Sequence, residues 1–344
     1  MNPGRDSEEQ QPARRMVQLL NAHVVAQALY VAAQLGLADL LREGAKSVDA
    51  LADATGAHAA SLHRLLRMLA GEGVFREVRD GEFALTALGE TLQSDSPNSV
   101  RARALYLAAP EVWAAWGQMR HSVTTGEAAF EHLHGVSFYA FMSRHRQVGE
   151  YFNGWMTRSS ELDNAAVVAS YDFSQFRTVV DVGGGHGATL AAILWAYPSV
   201  RGVLFDLPHV VSDAKLLEEP ALAGRCQIIG GDMIEAVPAG GDAYIIKMVL
   251  NGESDERAVA LLANCLKAMA KGGRLVVVDV VMPSGDEPSP SRSMDLFLLT
   301  LFRGRIRTEL EFRALFASAG LSLRNIITTG SISNPMSILE GVPA

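Results

Sequence analysis

The sequence predicts an α/β protein, a Rossmann-like, doubly wound sheet in the C-terminal half preceded by a mainly helical N-terminal domain. Three observations predict it. From residue 172 onward, short β-branched apolar runs alternate with helical segments. The first run ends in a glycine cluster, Asp181-Val-Gly-Gly-Gly-His-Gly187. The first hundred residues instead show helical periodicity and one hairpin signal.

The expected strands are Thr178–Val182, Gly202–Phe205, Cys226–Ile229, Ala243–Ile246, Arg274–Val280 and Ser322–Thr328. Near-continuous apolar strands separated by helices indicate a parallel sheet covered on both faces. At the other end, residues 1–13 are polar and read as a disordered lead. Residues 14–95 form a compact unit. A helical run over Arg15–Leu41 precedes a helix capped by Ser47 and another over Ala60–Glu72. A hairpin follows, Val74–Val78 and Glu82–Thr86 about the turn Asp80-Gly81. Helices followed by a hairpin is the order of a winged helix. Residues 96–170 are helical, aromatic-rich and broken at Gly126 and Gly135, and 171–344 carry the sheet.

The whole-chain properties narrow the function. A length of 344 residues suits two domains, and 49% hydrophobic residues allow a large core. The net charge of −8 argues against a nucleic-acid binder. The Ala60–Glu72 helix carries only Arg64 and Arg67, while Leu62, Leu65, Leu66 and Leu69 take one face, so it suits dimer formation better than DNA. The apolar Met16–Leu35 run is the expected surface of a homodimer. Cys226 and Cys265 show neither metal-ligand nor disulfide spacing, so no metal is expected and a reducing cytoplasm fits. The N-terminus lacks the apolar core of a signal peptide, and the apolar runs read as too short to span a membrane.

The glycine turn carries the chemistry. Gly183 and Gly185 let the backbone approach a ligand, and the helix that follows presents free N–H groups. The next strand ends at Asp206-Leu207, about 20 residues on, where a carboxylate can take both hydroxyls of a ribose. The glycine spacing does not match the G-x-G-x-x-G of a pyrophosphate cradle. A phosphate-free nucleoside with an ammonium, S-adenosylmethionine (SAM), fits better. Asp181 suits the ammonium, and Asp232 and Met233 suit the adenine amino group and ring.

The stretches VDVGGGHG, FDLP and GGDM, with Arg307-Thr308 before Glu311-Phe312, resemble the small-molecule O-methyltransferases of plant and bacterial secondary metabolism, the caffeate and polyketide-tailoring type. The resemblance covers nearly the whole chain. It implies a class I SAM-methyltransferase fold with a winged-helix dimerisation domain. It also implies SAM contacts at Gly183, Asp206, Asp232, Met233 and Lys247. The acceptor would then lie among Trp116, Phe152, Trp155, Met156, Met294, Asp295 and Phe302, and would be an apolar aromatic or polyketide-like metabolite.

One departure bears on the reaction. In the plant members of that family a His-Asp-Trp motif begins four residues after the lysine, and its His takes the proton from the substrate hydroxyl. Here the positions after Lys247 hold Asn251, Gly252 and Glu253. An amide is no general base near neutral pH. Of two carboxylates that steer the family's His, one corresponds to Asp279 and survives, while the other position is Ile306. His121, His132, His134 and His145, in the middle region, are the candidates for a replacement base. Three readings follow. The chain methylates an acidic phenol or enol without a His base, with Asn251 and Asp279 at the acceptor. Alternatively it uses bound SAM for other chemistry, such as C-methylation, cyclisation, rearrangement or hydroxylation. The third reading is a non-catalytic binder or regulator.

Overall fold

The structure, a computed structural model, describes residues 3–331 and 334–344. It divides into two compact units, Met1–Gly117 with Tyr139–Met156, and Gln118–Phe138 with Thr157–Ala344.

In the first unit a helix runs from Pro3 to Gln34, starting inside the lead expected to be without structure. Glu8, Glu9, Gln10 and Gln11 are all favourable in a helix, which local polarity alone does not reveal. The helix ends before Gly36, whose φ of 64° is left-handed. Ser47 caps the helix Val48–Thr55 by accepting the Ala50 N–H, as expected. The helix Ala59–Gly71 and the hairpin of β2 (Phe75–Arg79) and β3 (Glu82–Leu85) follow, and β1 (Lys46–Ser47) pairs with β3. Leu37, Leu51, Leu66, Leu69 and Phe83 are fully buried among these elements. By length and composition the stretch Gln11–Gln34, at a mean hydropathy of 1.3, is long and apolar enough to cross a membrane. Isolated polar residues such as Gln18 and Asn21 interrupt the run without lowering its average far, so it passes a test of length and composition that does not by itself show insertion. Met16, Val17, Leu19, Leu20 and Val24 are exposed on it.

The second unit is built on one sheet. Its strands are β4 (Thr178–Val182), β5 (Arg201–Asp206), β6 (Cys226–Gly230), β7 (Ala243–Lys247), β8 (Arg274–Met282), β9 (Arg307–Thr308), β10 (Leu321–Thr328) and β11 (Met336–Pro343). The order is β10-β11-β8-β7-β4-β5-β6, with β9 against the end of β8. All six expected strands are present. β11 was not expected, and it makes the sheet mixed rather than parallel, because it inserts antiparallel between β8 and β10. Its Met336, Ile338 and Leu339 are fully buried, but Glu340, Gly341 and Pro343 interrupt its apolar run. Pairing with β8 on one edge and β10 on the other gives that pattern a reason to be extended. The strand order reverses at β4, so the turn after β4 opens at the switch point on the carboxyl edge, where open α/β sheets bind ligands.

Because β11 is core, truncating it should cost as much as truncating a predicted strand. Ile338→Ala is expected to destabilise the protein by about 2–5 kcal/mol in urea unfolding. A loss below about 1 kcal/mol would show that β11 is peripheral.

Candidate functional site

The residues expected to bind cofactor gather at that carboxyl edge. Gly183, Gly185 and Gly187 all have positive φ (68°, 59° and 83°), a conformation that glycine adopts without strain. Gly183 needs glycine twice over, since a Cβ there would lie 2.9 Å from Val249 Cγ2 and 3.6 Å from Met233 Sδ. The Gly183 N–H donates to the Phe205 carbonyl at 2.8 Å, tying the turn to β5. Asp206, at the end of β5, is held by two amides. Gly185 N–H donates to Oδ2 at 2.9 Å and Leu207 N–H to Oδ1 at 2.7 Å. The carboxylate is thereby fixed beside the glycine turn with lone pairs to spare. Beyond β6, Asp232 is exposed and its Oδ1 accepts the Ile234 N–H at 2.8 Å. Asn264 donates to the Met233 and Ile234 carbonyls at 3.1 and 2.8 Å, which fixes the backbone of that segment.

Asp181 lies behind the turn. It is buried, and neither oxygen has a hydrogen-bond partner of normal geometry. A Cβ on Gly184 would sit 2.6 Å from its Oδ2. Burial pushes its pKa up to about 7, against the opposing pull of the Lys247 charge and the Leu190 amide. Lys247, at the end of β7, is itself pushed down by burial while the charges of Asp163 and Asp181 hold it up. Asp163 was not singled out in the sequence. It is buried in the helix Arg146–Ser170 and accepts from Ser331 Oγ at 2.6 Å and Asn334 Nδ2 at 2.8 Å. The signal was the polar pair Asp163-Asn164 beside the apolar run Ala165–Ala169. An orphaned buried acid next to a glycine cradle is a fit for a cationic nucleoside.

Asn251 and Asp279 meet beyond the carboxyl end of β7 and near that of β8. Asn251 sits in a short 3₁₀ turn, Leu250–Gly252, reached through Met248, whose φ of 56° is rare outside glycine. Its Nδ2 donates to Asp279 Oδ1 at 3.2 Å, and the Val280 N–H donates to the same oxygen at 2.8 Å. Asp279 Oδ2 is buried without a partner. Burial pushes Asp279 up to about 7, opposed by the Val280 amide, the Arg307 charge and Asn251. Glu253 is paired with Arg257 at 2.5 Å.

The expected acceptor-lining residues fall in both units. In the first, Phe152 and Trp155 pack on Tyr106 with ring centroids at 5.3 and 5.1 Å, Arg103 lies 5.5 Å over Trp155, Trp116 is half-buried and Met156 is exposed. In the second, Met294 and Asp295 lie on the helix Pro290–Leu301, and Phe302 follows it and packs on Phe138 at 4.3 Å. Asp295 Oδ1 accepts the Ile306 N–H at 2.7 Å. Of the middle histidines, His121 stacks on His132 at 3.8 Å, His134 tilts against Phe130 at 4.4 Å and His145 stacks on Phe141 at 3.6 Å.

The chain is similar to known proteins over nearly all its length. A family model described as an O-methyltransferase domain matches residues 116–322, and one described as an O-methyltransferase dimerisation domain matches 17–95. It is 40% identical over 329 residues to a phenazine O-methyltransferase of Lysobacter antibioticus, covering 95% of each chain. It is 41% identical over 318 residues to the mitomycin biosynthesis 6-O-methyltransferase of Streptomyces lavendulae, covering 92% of this chain and 90% of that one. The crystal structure of CalO1, a methyltransferase in calicheamicin biosynthesis in its S-adenosylhomocysteine-bound form, aligns with a TM-score of 0.88 at 35% identity, covering 97% and 98%.

The buried Asp181 makes a pH prediction. Its pKa is raised from about 4 when unfolded to about 7 when folded, so the folded state holds the proton more tightly. In ligand-free protein this share of the stability is complete below the unfolded value and falls as pH rises toward 7. Asp181→Asn should flatten that fall in unfolding measured between pH 4 and 8. An unchanged slope would refute the shift.

Proposed function

The chain belongs to the family of SAM-dependent O-methyltransferases with an N-terminal dimerisation domain, and from that premise we propose that it methylates a hydroxyl of a small aromatic or polyketide-like metabolite without a His base. SAM supplies an electrophilic sulfonium methyl and leaves as S-adenosylhomocysteine. The chain's residues hold the two reactants. Gly183, Gly185, Asp206, Leu207, Asp232, Met233 and Lys247 are assigned to SAM, with Asp181 beneath the ammonium. The two O-methyltransferase relatives support a hydroxyl acceptor.

The observation that carries the mechanism is the Asn251–Asp279 hydrogen bond. It makes Asn251 an orienting group. With Asp279 ionised, Nδ2 is committed to the carboxylate and Oδ1 is left for the acceptor, where it can accept an O–H. With Asp279 protonated, its O–H can donate to Oδ1, and the amide turns Nδ2 outward. That donor suits a phenolate or enolate. General-base assistance is worth about 10²- to 10⁴-fold. For an acceptor already ionised it is not needed, and positioning with effective molarities on the order of 10⁵ M can supply the rate.

The N-terminal unit serves as the dimer-forming domain, with its winged-helix order used for association. The exposed apolar residues Met16–Val24 on the first helix are its contact face. We assign the enzyme to the cytoplasm.

Two outcomes test this. Incubation with SAM and acidic phenols should give a product heavier by about 14 mass units together with S-adenosylhomocysteine, one methyl moving per turnover. SAM-dependent product without SAM consumption would sink it. With a phenol of pKa well below 7, the rate should fall as pH rises through about 7, as Asp279 ionises and the donor turns away. Asp279→Asn should remove that falling limb. A limb that persists in the variant belongs to another group.

A further inference from the structure

Arg307 has a buried guanidinium that the mechanism above leaves without a task. Its side chain is 0% exposed, and its one carboxylate partner, Asp255, is 50% exposed. A charge is not taken out of water for one half-solvated ion pair unless its other donors are met. They are met by a single short stretch of chain. The NH1 group donates to the Leu250 carbonyl, NH2 donates to the Glu253 carbonyl at 2.7 Å, and Nε and NH2 donate to Asp255 Oδ1 at 3.0 and 2.8 Å. Asn251 lies inside that stretch.

The residues before Arg307 grip the same turn. Arg305 N–H donates to the Asn251 carbonyl at 2.9 Å, and the Arg305 guanidinium pairs with Asp255 at 2.7 Å. Gly304 packs so close that a Cβ would lie 2.7 Å from the Asn251 carbonyl oxygen. Arg303, at a φ of 63°, pairs with Glu131 at 2.6 Å. The Ile306 N–H is held by Asp295 on the acceptor-side helix. Segment 303–307 therefore holds the Asn251 turn through Gly304, Arg305 and Arg307 and the Pro290–Leu301 helix through Ile306, which lies between them.

We infer that Arg307 is the positioning residue of the reaction, setting Asn251 against the acceptor by clamping the carbonyls on either side of it, and that segment 303–307 couples the acceptor-side helix to that turn. The inference rests on the reading that Asn251 meets the acceptor. Lysine keeps the charge and can pair with Asp255, but it cannot reach both carbonyls and the carboxylate in the fork that arginine makes.

The test is a double-mutant cycle on the full-length enzyme, comparing wild type, Arg307→Lys, Asn251→Ala and the double variant. kcat is read at saturating SAM and phenol, with SAM affinity from calorimetry. Arg307→Lys is expected to lower kcat about tenfold or more with SAM affinity within about twofold, and to cost less than about twofold in the Asn251→Ala background. Equal fold losses in both backgrounds overturn the inference and leave the role of Asn251 standing. An Asn251→Ala enzyme with wild-type kcat overturns the reading of Asn251, and the inference falls with it. If Arg307→Lys does not fold, Gly304→Ala is read in the same cycle, with the same two outcomes.

Discussion

The strands β4, β7 and β8 lie in the middle of the sheet with both faces covered, and this burial governs where charge can go. Val179, Val180, Tyr244, Ile245, Val276 and Val277 leave no room along them for a solvated group. The ionisable residues Asp181, Lys247 and Asp279 come at or near the strands' carboxyl ends, where the chain turns out of the sheet. Even there the surroundings are dry enough to raise both acids and lower the lysine. Charges held in such a place respond strongly to each other and to a bound cation.

The two acids share this cause but do different things. Asp181 sits under a glycine turn, and neither of its oxygens has a hydrogen-bond partner of normal geometry. Asp279 has a partner, Asn251, and a second oxygen without one. In the proposed reading, the first answers to what binds and the second sets which end of an amide the acceptor meets. On the same reading, an Asn at position 251 serves orientation rather than proton removal. The buried fork of Arg307 binds the Leu250 and Glu253 carbonyls, on either side of residue 251.

Much of the fold was legible in the sequence because its signals are local. Six strands read directly from apolar runs, the Ser47 cap from one residue, and the glycine turn from the strand and helix on either side of it. β11 was missed because Glu340, Gly341 and Pro343 break its apolar run, and its extended form rests on pairing with β10 and with β8, the latter more than 50 residues earlier in the chain. The start of the first helix was missed because a polar segment that forms a helix looks, by composition alone, like one that does not.

By itself the sequence determined the cofactor class, through a glycine turn with an acid about 20 residues on, and it determined that residue 251 is an amide rather than an imidazole. The tertiary structure decided which group that amide meets. Asn251 and Asp279 are 28 positions apart, Arg307 and Leu250 are 57 apart, and Asp163 reaches Ser331 across 168. No periodicity or spacing encodes such pairs, because each depends on how strands and loops from distant parts of the chain close over one sheet edge. Residue types fix which hydrogen bonds are possible, and only packing around that edge fixes which are made.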